Sequence, residues 1–232
     1  MVRFGLVGEG ITDQIVLENI LGGYFNTADI LVDSLQPTRD ATDENKMSNS
    51  GNWHKVMTYC QSDNFREALI NNGEEYYIII QIDTDIFWGD SVGAPYSVPT
   101  RNENGEIGSE ELLFSVVLKL IELIGEQFYI QYQKQIIFAV SVNQLECWLL
   151  PLYVDKKKSH KDRNCLSTLN SGLKKKEGFT IDTKNPSYYR HASKNYRKNK
   201  ILLKNYRHNI SFEGFIQQLE ERTIVIEQEE DW

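Results

Sequence analysis

Apolar residues along this chain recur in two rhythms. Residues 2–7, VRFGLV, form a short apolar run. Residues 11–22 then place Ile11, Ile15, Val16, Ile20 and Leu21 at helical spacing. Gly8-Glu9-Gly10 makes a tight turn between them, Thr12 or Gly10 supplies a cap, and Gly22-Gly23 is expected to stop the helix. ADILVDSL, 28–35, reads as a second strand. The polar stretch 36–51 predicts a loop, and 52–71 a helix that ends before Asn72-Gly73. YYIIIQI, 76–82, is the strongest strand. Its two apolar faces suit a central position in a covered parallel sheet. Asp83-Thr84-Asp85 ends it, and a polar stretch runs to about residue 108. Residues 109–128 predict a helix opened by Ser109 and two glutamates. QIIFAVSV, 135–142, is a further strand, and Asn143 opens a short helix that Pro151 kinks or stops.

Strand and helix thus alternate four times. The expected fold class is α/β, a mostly parallel, Rossmannoid sheet flanked by helices, over residues 1–154. After residue 154 the texture changes. Residues 155–226 predict a basic, mainly helical extension packed on the first part, closed by a helix over 210–226. Residues 227–232 read as a loose acidic tail.

Composition narrows the class. A hydrophobic share of 41% and an aromatic share of 11% exclude global disorder. No apolar run approaches the roughly 20 residues that cross a bilayer, and the N-terminus lacks the features of a signal peptide. A cytoplasmic protein without a membrane partner is expected. Cys60, Cys147 and Cys165 are far apart and form no CxxC pair, so the expectation is free thiols and no structural zinc. The net charge of -8 is unevenly spread. Residues 156–208 hold 16 of the 25 Lys and Arg residues and only 3 of the 33 acids. One part of the molecule would attract a polyanion and the other would repel it.

The acids carry the candidate chemistry. In open parallel sheets, sites form beyond the carboxyl ends of the strands. Glu9 and Asp13 follow the first strand, and Asp83 and Asp85 follow the central one. Two residues apart in extended geometry, Asp83 and Asp85 would leave the same face. Four converging carboxylates either have raised pKa values or hold a hard cation, Mg²⁺ or Mn²⁺. The plainer alternative is that Glu9 and Asp13 only favour the positive end of a helix dipole.

The string Glu9-Gly10-Ile11-Thr12-Asp13 after one strand, with Asp83-Thr84-Asp85 after a later one, resembles the TOPRIM domain. It is most similar to the overcoming-lysogenization-defect type of nuclease and to small stand-alone TOPRIM-like proteins of bacterial phage-defence loci. The likeness covers roughly residues 2–150, and the loop 36–51 with its following helix makes the interval between motifs longer than in compact TOPRIM domains. Ser141-Val142-Asn143-Gln144-Leu145-Glu146-Cys147-Trp148 also looks like a segment of the stand-alone group, which makes Glu146 a further candidate acid. Its plainer role is the polar position of a buried helix. The resemblance implies metal-assisted phosphodiester hydrolysis, with two ions about 3.5–4 Å apart. Asp83 and Asp85 would anchor them, Glu9 and Asp13 would complete the shells, and Glu9 could instead be the general base. A lysine such as Lys194, Lys198 or Lys200 would neutralise charge on the phosphate.

The basic region sets Tyr188, Tyr189, Tyr196 and Tyr206 among Arg190, Lys194, Arg197, Lys198, Lys200 and Lys204. Cations for phosphates and aromatics for stacking form a nucleic-acid pattern, with DNA favoured over RNA. Core tyrosines with lysines in water would give the same string. His191 and His208 read as surface or hydrogen-bonding residues. The expectations are therefore a metal-dependent nuclease of a phage-defence or mobile-element system, or a non-catalytic module that works with a separate ATPase. A dinucleotide-binding reading is poor because Asp13 stands where the third glycine is needed.

Overall fold

The computed structural model describes residues 1–39, 53–88, 93 and 95–226. Most of the expected loop 36–51 and all of the tail 227–232 lie outside these residues. Six strands are described: β1 (Arg3–Val7), β2 (Leu31–Gln36), β3 (Tyr76–Asp83), β4 (Arg101–Asn102), β5 (Gly105–Glu106) and β6 (Ile136–Ser141). β4 and β5 make a small antiparallel hairpin. The others form one parallel sheet in the order β2-β1-β3-β6. Parallel pairing brings Val7, Gln36, Asp83 and Ser141 to the same carboxyl edge.

Both faces of this sheet are covered, so its strands are apolar on both sides. Ile78, Ile80 and Ile82 point to one face. There they pack against α2 (Trp53–Cys60), α3 (Asp63–Asn72), α4 (Ser109–Ile124) and α5 (Glu126–Tyr132). Phe4, Leu6, Ile79 and Ile137 point to the other, against α1 (Ile11–Tyr24) and α6 (Glu146–Tyr153). The second cluster continues into the C-terminal helices α8 (Cys165–Glu177), α9 (Pro186–Ser193), α10 (Asn199–Asn205) and α11 (Ile210–Glu221), while the short α7 (Lys156–Ser159) contributes no residue to it. The chain is an α/β fold with a mainly helical C-terminal region.

Helix α1 is buried nearly all round, because α9, the 3₁₀ turn Lys194–Arg197 and α10 lie on its outer side. Asn19, buried within it, donates from Nδ2 to Ser193 Oγ at 2.7 Å. This packing corrects the expectation for Gly22-Gly23. The helix runs through them to Tyr24, and a Cβ on Gly23 would sit 1.7 Å from the Tyr196 carbonyl oxygen. The glycine is there for close approach of two backbones, not as a stop.

Other expectations are corrected for equally local reasons. The helix expected over 52–71 breaks at Ser62, whose Oγ accepts from Phe65 N at 3.3 Å and starts α3 afresh. The helix over 109–128 breaks at Gly125, in the left-handed region at φ 95°. The closing helix stops at Glu221, before Thr223 at φ 46°. Free thiols hold only for the buried Cys60. Cys147 and Cys165 form a disulfide between the starts of α6 and α8, whose Cα atoms lie 5.0 Å apart. Close packing there has a visible cause: Gly172 of α8 sits against Tyr153 of α6, where a Cβ would come within 2.8 Å. No helix among the described residues is long and apolar enough to cross a membrane.

Candidate metal centre

At the carboxyl edge, the turns after β1, β3 and β6 interlock. Glu9 is buried, and its Oε1 accepts from the Asp83 backbone N at 2.8 Å. Asp83 is buried too, and its Oδ1 accepts from Gln81 Nε2 at 2.8 Å and from Leu145 N at 3.0 Å. Gln81 Oε1 in turn accepts from Glu9 N at 3.4 Å. The other oxygens, Glu9 Oε2 and Asp83 Oδ2, accept no hydrogen bond from a described residue. Each carboxylate is thus pinned by one oxygen and keeps the second.

The expectation that Asp83 and Asp85 leave one strand face is corrected. β3 ends at Asp83, and Thr84–Trp88 coil into a 3₁₀ turn. Thr84 Oγ1 accepts from Asn143 N at 2.7 Å, and Asp85 N donates to Asn143 O at 3.0 Å. Asn143, left-handed at φ 58°, makes that turn and delays α6 to Glu146. Asp85 therefore stands exposed at the rim, where its Oδ2 accepts from Gln144 Nε2 at 3.0 Å.

One pocket of about 350 Å³ gathers Glu9, Asp83, Asp85, Glu146, Lys184 and Tyr189 among its lining. Asp13, in the first turn of α1, is buried and does not line it, and its Oδ2 has no hydrogen-bond partner among the described residues. Glu146 is buried at the start of α6, and Tyr189 O–H donates to its Oε1. Glu9, Asp83, Asp85 and Glu146 thus come together in one pocket, with Asp13 close enough to feel their charge.

Electrostatics record the crowding. Burial, and then Asp13, push the Glu9 carboxyl up to about 7. Burial pushes Asp13 up to about 6, against the pull of Lys184. Burial, then Glu9, Asp13 and Glu146, hold Asp83 well above the usual carboxylate range. Asp85 is raised as well, by desolvation first. Lys184 answers the cluster: Asp13 above all, then Asp83, Glu146 and Glu9, raise its ammonium.

The donor set is all oxygen and anionic, which suits a hard cation such as Mg²⁺ or Mn²⁺. The orphaned Asp13 Oδ2 fits the same chemistry. In the present arrangement, however, no three His, Cys, Asp or Glu side chains among the described residues are grouped closely enough to hold an ion.

The basic residues named from the sequence lie elsewhere. Arg190, Lys194, Arg197, Lys198, Lys200 and Lys204 are exposed on the α9–α10 segment, and none lines the acid pocket. Lys194 pairs with Glu177 at 3.5 Å. Tyr189, Tyr196 and Tyr206 are buried, so they are core rather than stacking platforms. The candidate acids left out three residues that shape the site: Lys184 and Tyr189, which line the pocket, and Gln81, which donates to Asp83. Gln81 had a signal, a lone polar residue in an apolar strand, two before Asp83 and so on its face. Lys184 and Tyr189 had none, since only tertiary packing brings residues 184–189 to the sheet edge. Compared with family models, curated proteins and solved structures, the chain matches none of them.

Proposed function

We propose that this protein is a divalent-metal-dependent nuclease with a TOPRIM-like centre. The observation that carries the reading is the convergence of Glu9, Asp83, Asp85 and Glu146 on one pocket at the sheet's carboxyl edge, with Lys184 beside them. The resemblance of the Glu9–Asp13 and Asp83–Asp85 strings to TOPRIM motifs supports it, as does the parallel sheet that places both at one edge. Association with a phage-defence or mobile-element system rests on that resemblance.

Glu9, Asp13, Asp83 and Asp85 would hold Mg²⁺ or Mn²⁺, with Glu146 close by. Bound there, the metal would supply Lewis acidity and neutralise phosphate charge. The chain's own groups do the rest. Gln81 and the Leu145 amide fix Asp83, and Asp83 N fixes Glu9. If Glu9 does not ligate the metal, its second oxygen would instead take a proton from an attacking water. Tyr189 orients Glu146. Lys184, rather than Lys194, Lys198 or Lys200, would meet the developing charge on the scissile phosphate.

The test is Mn²⁺- and Mg²⁺-dependent cleavage of plasmid, single-stranded DNA and RNA, with DNA expected to be cut faster. Asp83→Ala should retain the fold and lose about a thousandfold in rate. Cutting that survives Asp83→Ala sinks the reading. One observation favours a second reading: Lys184 already balances the acids from within the chain. The pocket would then belong to a non-catalytic nucleic-acid or partner-binding module that works with a separate ATPase. Calorimetric titration with Mn²⁺ separates the two, because the module needs no metal.

A further inference from the structure

The acid pocket does not end at its own walls. Gln144 and Leu166, which line it, also line a hollow of about 480 Å³ with Asn164, Ser167 and Asn170. Ser167 in turn lines a groove of about 480 Å³ between α6–α7 and α8. The three spaces adjoin through these shared lining residues, and together they are treated as one trough. Asn164, Thr168, Ser171 and Lys175 recur every three or four residues, with Ser167 beside them, so the trough follows one face of α8.

Its chemistry changes along its length. The floor is small and hydroxylated, with Ser167, Thr168 and Ser171 along it, the Thr168 and Ser171 hydroxyls donating back to the Asn164 and Ser167 carbonyls, and Gly172 drawing α8 down onto α6. Four lysines line the groove: Lys158 and Lys161, from α7 and the turn that leads into α8, and Lys175 and Lys176, from the end of α8. Asp155 is the one acid among the described residues lining this groove, and its Oδ1 is engaged by Lys158 N at 3.1 Å. Lys176 is partly committed, donating to the Leu152 carbonyl at 2.9 Å. Lys158, Lys161 and Lys175 are exposed and make no ion pair with a described residue. Gathering four ammonium groups around one groove costs repulsion that a polyanion would relieve.

We propose that one strand of nucleic acid lies along α8, its phosphates on Lys158, Lys161 and Lys175, and enters the acid pocket past Asn164, Ser167 and Asn170. From Leu166 to Lys175 the helix extends roughly 14 Å, enough for a few nucleotides. The inference rests on reading the acid pocket as the phosphodiester-cleaving centre. It assigns the substrate track to α7–α8 rather than to the lysines of α9–α10.

The test is fluorescence anisotropy with a labelled single-stranded DNA oligonucleotide, in Ca²⁺ to prevent cutting. The triple variant Lys158→Ala, Lys161→Ala, Lys175→Ala should bind at least tenfold more weakly. Its log-affinity against log-salt slope should fall by about 2, at about 0.7 for each single-strand phosphate that a lysine no longer neutralises. The triple variant Lys198→Ala, Lys200→Ala, Lys204→Ala removes the same charge and should lose less than threefold. Circular dichroism confirms the fold of both, which surface substitutions should preserve. Unchanged affinity in the first variant overturns the proposal. Equal losses in both overturn it too, because net charge alone would then explain binding, and so does a wild type that does not bind. A nuclease failure looks different: wild type would bind through the groove yet leave DNA uncut in Mn²⁺.

Discussion

The two faces of the sheet are covered in different ways. On one face α2 to α5 form a single layer drawn from residues 53–132, which bury Ile78, Ile80 and Ile82. On the other face α1 covers the sheet, and α9, the 3₁₀ turn after it and α10 cover α1. Only the double-layered face brings distant chain to the site. Lys184 and Tyr189 reach the acid pocket because the C-terminal region wraps α1. The single layer insulates the sheet, whereas the second layer completes a pocket that the sheet edge only begins.

The strongest way to break this contrast is Gly23→Ala. A Cβ there meets the Tyr196 backbone at 1.7 Å, so the second layer must move away from α1. Stability should fall by about 3 kcal/mol in urea titration, the upper range for overpacking. Tyr189 and Lys184 should loosen with it, so Mn²⁺ affinity should fall even in the folded fraction. Retained stability would mean that the two layers are not tightly joined.

A smaller effect is expected at the link between α6 and α8. Replacing Cys147 and Cys165 together with Ser should cost about 2 kcal/mol, somewhat below the loop-entropy value for a closure of this size. The bond adjoins Glu146 in the pocket and Leu166 in the trough, so oligonucleotide affinity should weaken with it. Dithiothreitol should shift the wild-type melting curve in the same direction and leave the double variant unmoved. A wild-type curve indifferent to reductant would place no constraint on the molecule at this link.

The same contrast governs what the sequence made legible. Strands buried on both faces are apolar throughout, so YYIIIQI announces itself, and strand ends locate Glu9 and Asp83. These are local facts. Asp85 is not local: its 3₁₀ turn is fixed by a bond from Asn143 to Thr84, 59 residues away. Basic, Tyr-rich text has the same look whether its tyrosines face bases or core. Burial of Tyr189, Tyr196 and Tyr206 beneath exposed lysines depends on α1 being an inner helix, which its glycines only hint at. Cys147 and Cys165 look unrelated along the chain for the same reason, since Gly172 against Tyr153 is a tertiary contact.

The mildest test uses pH, and it asks whether the acids are burdened in the way their burial implies. Glu9 and Asp13 hold their protons to about 7 and about 6 when folded, because burial disfavours their charge. Unfolded, they would release them near the ordinary carboxylate range. Between roughly pH 4 and 7 the folded chain therefore binds more protons than the unfolded one, and stability falls as pH rises through that window. With EDTA present, the loss should be on the order of 1–2 kcal/mol, discounted because the groups share their charge. Asp13→Asn removes a buried charge whose Oδ2 has no partner among the described residues, so it should flatten the pH profile and raise the midpoint at pH 8. Mg²⁺ should restore the wild type at that pH and do nothing for Asp13→Asn if Asp13 is a ligand. A wild type most stable at pH 8 without metal would mean that Lys184 alone carries the balancing charge. The carboxylates would then be a closed electrostatic unit, and the case for a cation between them would fail at its physical root.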